Sequence, residues 1–445
     1  MIGQQGPRVV SPPPGPRSRA LADRLAAVEY PASAARRARR QEQAGASQLP
    51  IAYATAVGSN VVDADGNRYV DLTAGFGALL LGHGDPAPAR ALAEQGERLW
   101  HALGDVYAAD VKVELLEALA ALAPFEGARV VLGQSGSDAV SAALKTALLT
   151  TGRPGLVAFS GGYHGLSYGP LAVCGYRDSF RTPFAPQLNP HVNFAPFPWR
   201  ADEVPAALAA VAAALDRGDV GAVVLEPVLG RGGCVPAPAG FLAAVGELAR
   251  AAGALVVADE VWTGLGRAGS LLASVAQGLV PDLICLGKGL GGGLPLAACV
   301  GSPAAMAGWG QGSGDLVHTT TFSGAPLACA TSLALLGQLR ARDLPARAAA
   351  VGGRWVQKIH TTLQGLPGYV EARGCGLMVG LELASPALAF EVSRGLLADG
   401  YLVLGGGRNY EALTLTPALT IDEDLLDGFT AALARRLSSR LAEAP

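Results

Sequence analysis

Residues 254–269 read ALVVADEVWTGLGRAG, five apolar residues closed by two acids and then a glycine-rich turn. A run this short and this uniformly apolar reads as a strand buried on both faces, the kind found in parallel sheets covered by helices. Four more runs have the same form: ARVVLG (128–133), GLVAFS (155–160), GAVVLE (221–226) and DLICLG (282–287). Helical Ala/Leu stretches such as SDAVSAALKTALLTT (137–151) and AGFLAAVGELARAAG (239–253) lie between them. The alternation predicts an α/β fold with a mostly parallel central sheet covered by helices. In such sheets the chemistry sits beyond the carboxyl ends of the strands.

Outward from this centre the chain divides. GSNVVDADGNRYVDLT (58–73) alternates around an Asp-Gly turn as a β-hairpin should. GLMVGLEL (376–383) and ALTLTPALTI (412–421) read as strands of a second α/β unit. The expected organisation is a disordered Pro/Gly/Arg-rich arm over 1–18 and an N-terminal segment, 19–85, contributing to a small domain. A large domain over 86–330 and the C-terminal part of the small domain, 331–445, complete it. A chain of 445 residues is long enough for two cores.

Composition excludes several function classes. Net charge is −3, with no domain-sized basic face to bind nucleic acid. The run Arg36-Arg37-Ala38-Arg39-Arg40 reads as a solvated helix face. No apolar run approaches the roughly 18 residues of a membrane helix, and no signal-peptide core is visible, so a cytoplasmic protein is expected. The six cysteines are widely spaced and read as free thiols, and the six histidines show no metal-ligand spacing.

At the strand ends the residue types change together. Ser135, Gly136 and Ser137 follow the first run at the start of a helix, where N–H groups, hydroxyls and the positive end of the helix dipole suit a phosphate. Tyr163 and His164 follow the second run, and Glu226, Asp259 with Glu260, and Lys288 follow the next three. A carboxylate at the end of a buried strand, as at Asp259, needs a protonated partner, which either a pyridinium nitrogen or an arginine would satisfy. Lys288 is one of only four lysines beside thirty arginines, and it stands in DLICLGKGLGGGLP (282–295), next to an apolar strand and among glycines. Desolvation there lowers the pKa of an amine and makes it a nucleophile for a carbonyl. Phosphate loop, carboxylate and Schiff-base lysine together are what pyridoxal 5'-phosphate requires.

From roughly residue 50 to 430 the sequence resembles the class III aminotransferases, pyridoxal-phosphate enzymes of fold type I. The segments GSDAVSAALK, YHG, EPV, DEVWTGLGRAG, GKGLGGGLP and TTTFSGAP occur in that family's order. The resemblance implies that Lys288 forms the Schiff base and moves the proton, that Asp259 keeps the pyridine nitrogen protonated, and that Gly136 and Ser137 bind the phosphate. It implies further that Tyr163 stacks on the ring with Val261 against the other face, and that Glu226 and His164 lie close by. Lys288, Asp259 and Tyr163 are the catalytic candidates; Ser135 joins the cofactor contacts. Thr321, in TTTFSGAP, matches a threonine that reaches the phosphate of the neighbouring subunit, which implies a homodimer with shared sites. The implied partners are an amine donor and a carbonyl acceptor, an oxo acid or an aldehyde. Transamination is the expected reaction, and racemisation or an amino shift starts from the same chemistry.

Two positions depart from the family. Many members dock a substrate carboxylate on an arginine of the C-terminal strand and pair it at rest with a glutamate of the EP loop. Here those positions hold Thr414 and Arg231. Arg231 or Arg408 could replace the missing anchor, a guanidinium suiting a carboxylate through paired hydrogen bonds. Two segments match a dinucleotide pattern, Gly264–Gly269 and Gly287–Gly292; against the first, Asp259 and Glu260 would crowd a pyrophosphate with like charge, and its glycines do not follow the strand immediately. A non-catalytic relative would be free to lose Lys288 and Asp259, and both are present.

Overall fold

The computed structural model describes residues 3–44, 50–311 and 315–439. Its centre is a sheet of seven strands: β1 (Arg129–Gly133), β2 (Gly155–Phe159), β3 (Val192–Ala195), β4 (Val220–Leu225), β5 (Leu255–Asp259), β6 (Leu283–Leu286) and β7 (Ala297–Gly301). They lie in the order β1-β7-β6-β5-β4-β2-β3, and every neighbouring pair is parallel except the two made by β7. The five apolar runs are therefore strands of one mostly parallel sheet. β3 and β7 join it without having been expected: VNFA and AACVG are short and, in β7, rich in small residues.

Helices cover both faces. On one, Ala139, Ala142, Ala143 and Ala147 of the helix Gly136–Thr151 pack against Val224, Val257, Cys285 and Cys299. Methyl side chains let this helix lie close to the strands, which brings its N-terminus to the sheet's edge of chemistry. On the other, Phe159, Phe197 and Phe241 stack edge to face, with ring centroids 5.7–6.1 Å apart.

The chain ends build the rest together. The strand Tyr401–Leu402 joins, parallel, the sheet of Tyr53–Val57, Asn60–Asp63 and Arg68–Asp71, whose last two strands are the expected hairpin. A further sheet contains Tyr369–Cys375, Met378–Leu383, Ala412–Leu415 and Leu404–Gly406. The glycine turn 264–269 fastens this part to the large sheet. Its Arg267 is fully buried and donates to the carbonyl oxygens of Leu377, at 3.0 Å, and Pro417. Burial pulls that guanidinium down to about 9. The helix after the turn, Ala273–Ala276, is a single turn, unlike the long helix of a dinucleotide site.

The expectation of a disordered arm over 1–18 does not hold for residues 3–18. Arg8 and Arg68 exchange backbone hydrogen bonds at 2.8 Å, and Asn60 both donates to and accepts from the backbone of Gln5. Asn67 accepts from Val10 and Ser11, and Asp65 accepts from Arg17 and Ser18 at the start of the helix Pro16–Val28. The hairpin's polar side chains thus supply what the arm's own composition lacks, and offset its ordering entropy.

Candidate active site

The loop after β1 becomes a helix through a reciprocal cap. Ser135 Oγ accepts from Asp138 N at 3.2 Å, while the Asp138 carboxylate accepts from Ser135 N at 3.0 Å and Gln134 N at 2.9 Å. The Ser135 hydroxyl is committed to the cap. Gly136 and Ser137 are the first two helical residues, whose N–H groups have no intrahelical acceptor. Ser137 Oγ accepts from Leu166 N at 3.2 Å, and Gly165 crosses it so closely that a Cβ there would sit 2.0 Å from that oxygen. Gly165 also has φ of 118°, so two constraints demand glycine at one position. A Cβ at Gly136 would likewise come within 2.7 Å of Val261 Cγ1.

At the end of β5, Asp259 is buried and held twice. Its Oδ2 lies 2.7 Å from His164 Nδ1 and its Oδ1 accepts from Val261 N at 3.0 Å. His164, from the loop after β2, is thus one partner of that carboxylate. Burial alone would depress the His164 imidazole, but the hydrogen bond and charge of Asp259, with Glu226 behind it, raise it above its ordinary value. His164 Nε2 is buried with no hydrogen-bond partner among the described residues.

Glu226, at the end of β4, accepts from Tyr163 N at 2.7 Å and Gly230 N at 3.0 Å. It therefore fixes two loops at once, the one carrying Tyr163 and the one leading to Arg231. Burial pushes its carboxyl up to about 7, Asp259 adding to the rise and His164 opposing it.

Lys288 follows β6 with φ of 41°, a left-handed backbone in a side chain that resists it. Its amine lies 4.4 Å from the centroid of the Trp262 ring and makes no hydrogen bond or ion pair among the described residues. Burial lowers it to about 8; Asp259 and Glu226 pull the other way, and Arg231 adds to the fall. A neutral amine is therefore accessible near physiological pH.

The Arg231 guanidinium lies 4.8 Å from the Tyr163 ring centroid and 5.5 Å from that of Tyr176. It has no carboxylate partner among the described residues. Thr414 is buried, its hydroxyl given to Leu404 O at 3.3 Å. Arg408 is not brought to this cluster; it is exposed, with its guanidinium 4.4 Å from the Trp199 ring centroid. Thr321 is exposed as well, beside Thr320, whose hydroxyl accepts from Gln134 at 3.3 Å. Trp262 and Tyr176 were missed in the sequence. Only Trp262 left a signal there, as a large aromatic three residues beyond a strand-end acid.

Comparison with known proteins bears on what this arrangement is. The family model "Aminotransferase class-III" matches residues 42–437. The acetylornithine aminotransferase of Mycolicibacterium smegmatis is 38% identical over 388 residues, covering 86% of this chain and 93% of that protein. An amine transaminase from an uncultivated Pseudomonas species, solved with pyridoxal phosphate bound, superposes with a TM-score of 0.81 at 28% identity, covering 88% of this chain and 95% of its own. An (S)-enantioselective omega-transaminase from Thermomicrobium roseum gives a TM-score of 0.85 at 26% identity, with 95% and 99% covered. The chain belongs to the class III aminotransferases.

Proposed function

We propose that the cluster around Lys288 passes an amino group from a small primary amine or amino acid to an acceptor whose carboxylate is held by Arg231. The observation that carries this reading is a pair of neighbouring cations, Lys288 with an amine lowered by burial and further by the Arg231 charge, and Arg231 with no ion pair among the described residues. An unpaired guanidinium beside a reactive amine is stabilised by an anionic substrate.

As a class III aminotransferase the protein works with pyridoxal 5'-phosphate. The residues fit that group. The helix start at Gly136 and Ser137 offers N–H donors to a phosphate. Tyr163 and Val261 would flank the ring, and Asp259, oriented by His164, would meet its nitrogen. When bound, the cofactor supplies an aldehyde for condensation and a ring that withdraws electrons from the substrate carbon.

The chain's own residues do the rest. Lys288, neutral above about pH 8, adds to carbonyls and then takes and returns a proton at its Nζ. Glu226 keeps the Tyr163 and Arg231 loops at a fixed separation through two backbone hydrogen bonds. Trp262 shields one side of the amine from water.

Two copies complete the site in this proposal, Thr321 of the partner subunit reaching the phosphate. Support comes from an exposed apolar face that carries Thr321: Trp100, Leu103, Tyr107, Leu316 and Phe322 are all more than half exposed, and His101 meets Phe322 with rings 5.1 Å apart.

One experiment addresses reaction and assembly together. A panel of amines and amino acids is scanned for conversion of the cofactor's absorption to its pyridoxamine form, then discharge by an oxo acid, with sedimentation in the same buffer. A complete half-reaction by a dimer is expected. Isomerised substrate without the pyridoxamine form would make the protein a racemase or mutase, and a fully active monomer would exclude shared sites.

A further inference from the structure

We propose that Tyr176 is a positioning residue for substrate choice: its ring seats the Arg231 guanidinium, and its hydroxyl ties that seat to the hairpin that also fixes the Arg231 backbone. The proposal rests on the reading that Arg231 holds the acceptor's carboxylate, and adds the residue that keeps Arg231 in place.

The backbone under Arg231 has little freedom. Before it, Gly230 N donates to Glu226; after it, Gly233 N and Cys234 N both donate to Gly230 O at 3.1 Å. Gly233 and Cys234 are a left-handed pair, with φ of 115° and 52°, and Arg373 Nε donates to Gly233 O at 3.1 Å. Arg231 O itself accepts from Gly407 N at 3.0 Å. Gly407 begins the turn between Leu404–Gly406 and Ala412–Leu415, antiparallel strands of the small domain.

The side chain is held differently, by rings in place of an acid. Tyr163 and Tyr176, on which the guanidinium rests, meet edge to face with centroids 6.3 Å apart. Phe180 closes the group, 6.4 Å from Tyr163 and 5.9 Å from Tyr176. Burial raises the Tyr163 hydroxyl, and Arg231 opposes that rise by its charge and by a hydrogen bond. In the proposed function Tyr163 also flanks the cofactor ring, a task in which Tyr176 takes no part.

Tyr176 is placed from two directions. Gly175 bridges Ser160 just beyond β2, and Gly161 N donates to Gly175 O at 2.9 Å, so Tyr176 stands beside the strand end that carries Tyr163. Its buried hydroxyl donates to Gly407 O at 3.1 Å. Gly407 therefore fixes both the arginine's backbone, through its N–H, and the ring beside the guanidinium, through its carbonyl. Rings and one neutral hydroxyl orient a guanidinium while leaving most of its five N–H donors for a carboxylate. An acid in their place would take those donors and compete with the substrate.

Two acceptors that differ only by a carboxylate, 2-oxobutanoate and propanal, read the effect on the holoenzyme. In Tyr176→Leu the KM for 2-oxobutanoate should rise about fivefold with kcat nearly unchanged, and the KM for propanal should stay as it is. Tyr176→Phe keeps the ring and frees Gly407; a rise of about twofold, for 2-oxobutanoate alone, is expected, and this variant decides if the leucine protein does not fold. Calorimetry with butanoate, which has no oxo group, reads binding without turnover, and its Kd should rise about fivefold in Tyr176→Leu. Added to Arg231→Ala, Tyr176→Leu should shift the preference between acceptors no further, because the ring acts through the arginine. Equal losses for both acceptors, a loss carried by kcat, or a further shift in the double variant makes Tyr176 a packing residue and overturns the proposal. If Arg231→Ala alters the preference and neither Tyr176 variant does, the proposal fails alone; if Arg231→Ala leaves it unaltered, the carboxylate reading fails and the proposal with it.

Discussion

At the carboxyl ends of β4 and β5, Glu226 and Asp259 are buried and each held by two hydrogen bonds, whereas Arg231 lies over the Tyr163 ring and pairs with no acid among the described residues. The floor is closed on itself and the wall is open. A buried carboxylate without partners costs several kcal/mol, so each floor group is fixed before any ligand arrives. The wall carries its charge toward solvent and toward the ligand. On the proposed function, the reaction would reside in the preorganised floor and the choice of substrate in the wall.

Changing the floor should do most damage. Asp259→Asn keeps the shape but removes the charge that His164 and the site's cations answer, and kcat should fall on the order of a thousandfold with the KM for the amine little changed. Steady-state kinetics check it. A variant altered mainly in KM would put Asp259 in substrate binding and dissolve the contrast.

The next effect is one of pH. Lys288 at about 8 lies below an ordinary lysine, so acid converts it to the ammonium, which cannot add to an aldehyde. Reloading of apoprotein with pyridoxal phosphate should therefore rise about tenfold per pH unit well below 8, roughly fiftyfold from pH 6 to 8, and then level. The growth of absorbance after mixing reports it. A rate still climbing at pH 10 would mean that burial does not set the amine.

The wall should show the smallest and most selective loss. Arg231→Ala should raise the KM for an oxo acid by about tenfold and leave a neutral aldehyde acceptor nearly untouched. Arg408→Ala, altered on Trp199, should change neither acceptor. Equal losses for both acceptors in Arg231→Ala would make Arg231 a structural residue of its loop.

The same contrast explains what could be read from the sequence. Lys288, Asp259, Glu226 and the Ser135–Ser137 loop were legible because each ends an apolar run, and a strand end in such a sheet is itself a coordinate. The bond between His164 and Asp259 was not, since 95 residues separate them and only the parallel order of β2, β4 and β5 brings them together. The wall was legible only as a departure. The resemblance marks Thr414 and Arg231 as departures, but not that Thr414 spends its hydroxyl on Leu404 or that Arg408 turns to Trp199. The ordered arm escaped for a similar reason, its acceptors at Asn60, Asp65 and Asn67 lying some fifty residues away in the chain. β7 was hidden by its small residues, which carry little strand propensity.

The backbone of Lys288 bears on how such a protein ages over generations. At φ of 41° the chain asks for glycine, and a long side chain there costs on the order of 1–2 kcal/mol. Folding alone would select against the lysine, and on the proposed function the reaction would retain it. A duplicated copy released from its reaction would gain stability by the loss of its most important residue. Inactive descendants of this fold are thus reached by a downhill step, and a lysine still standing at this angle is a record of use.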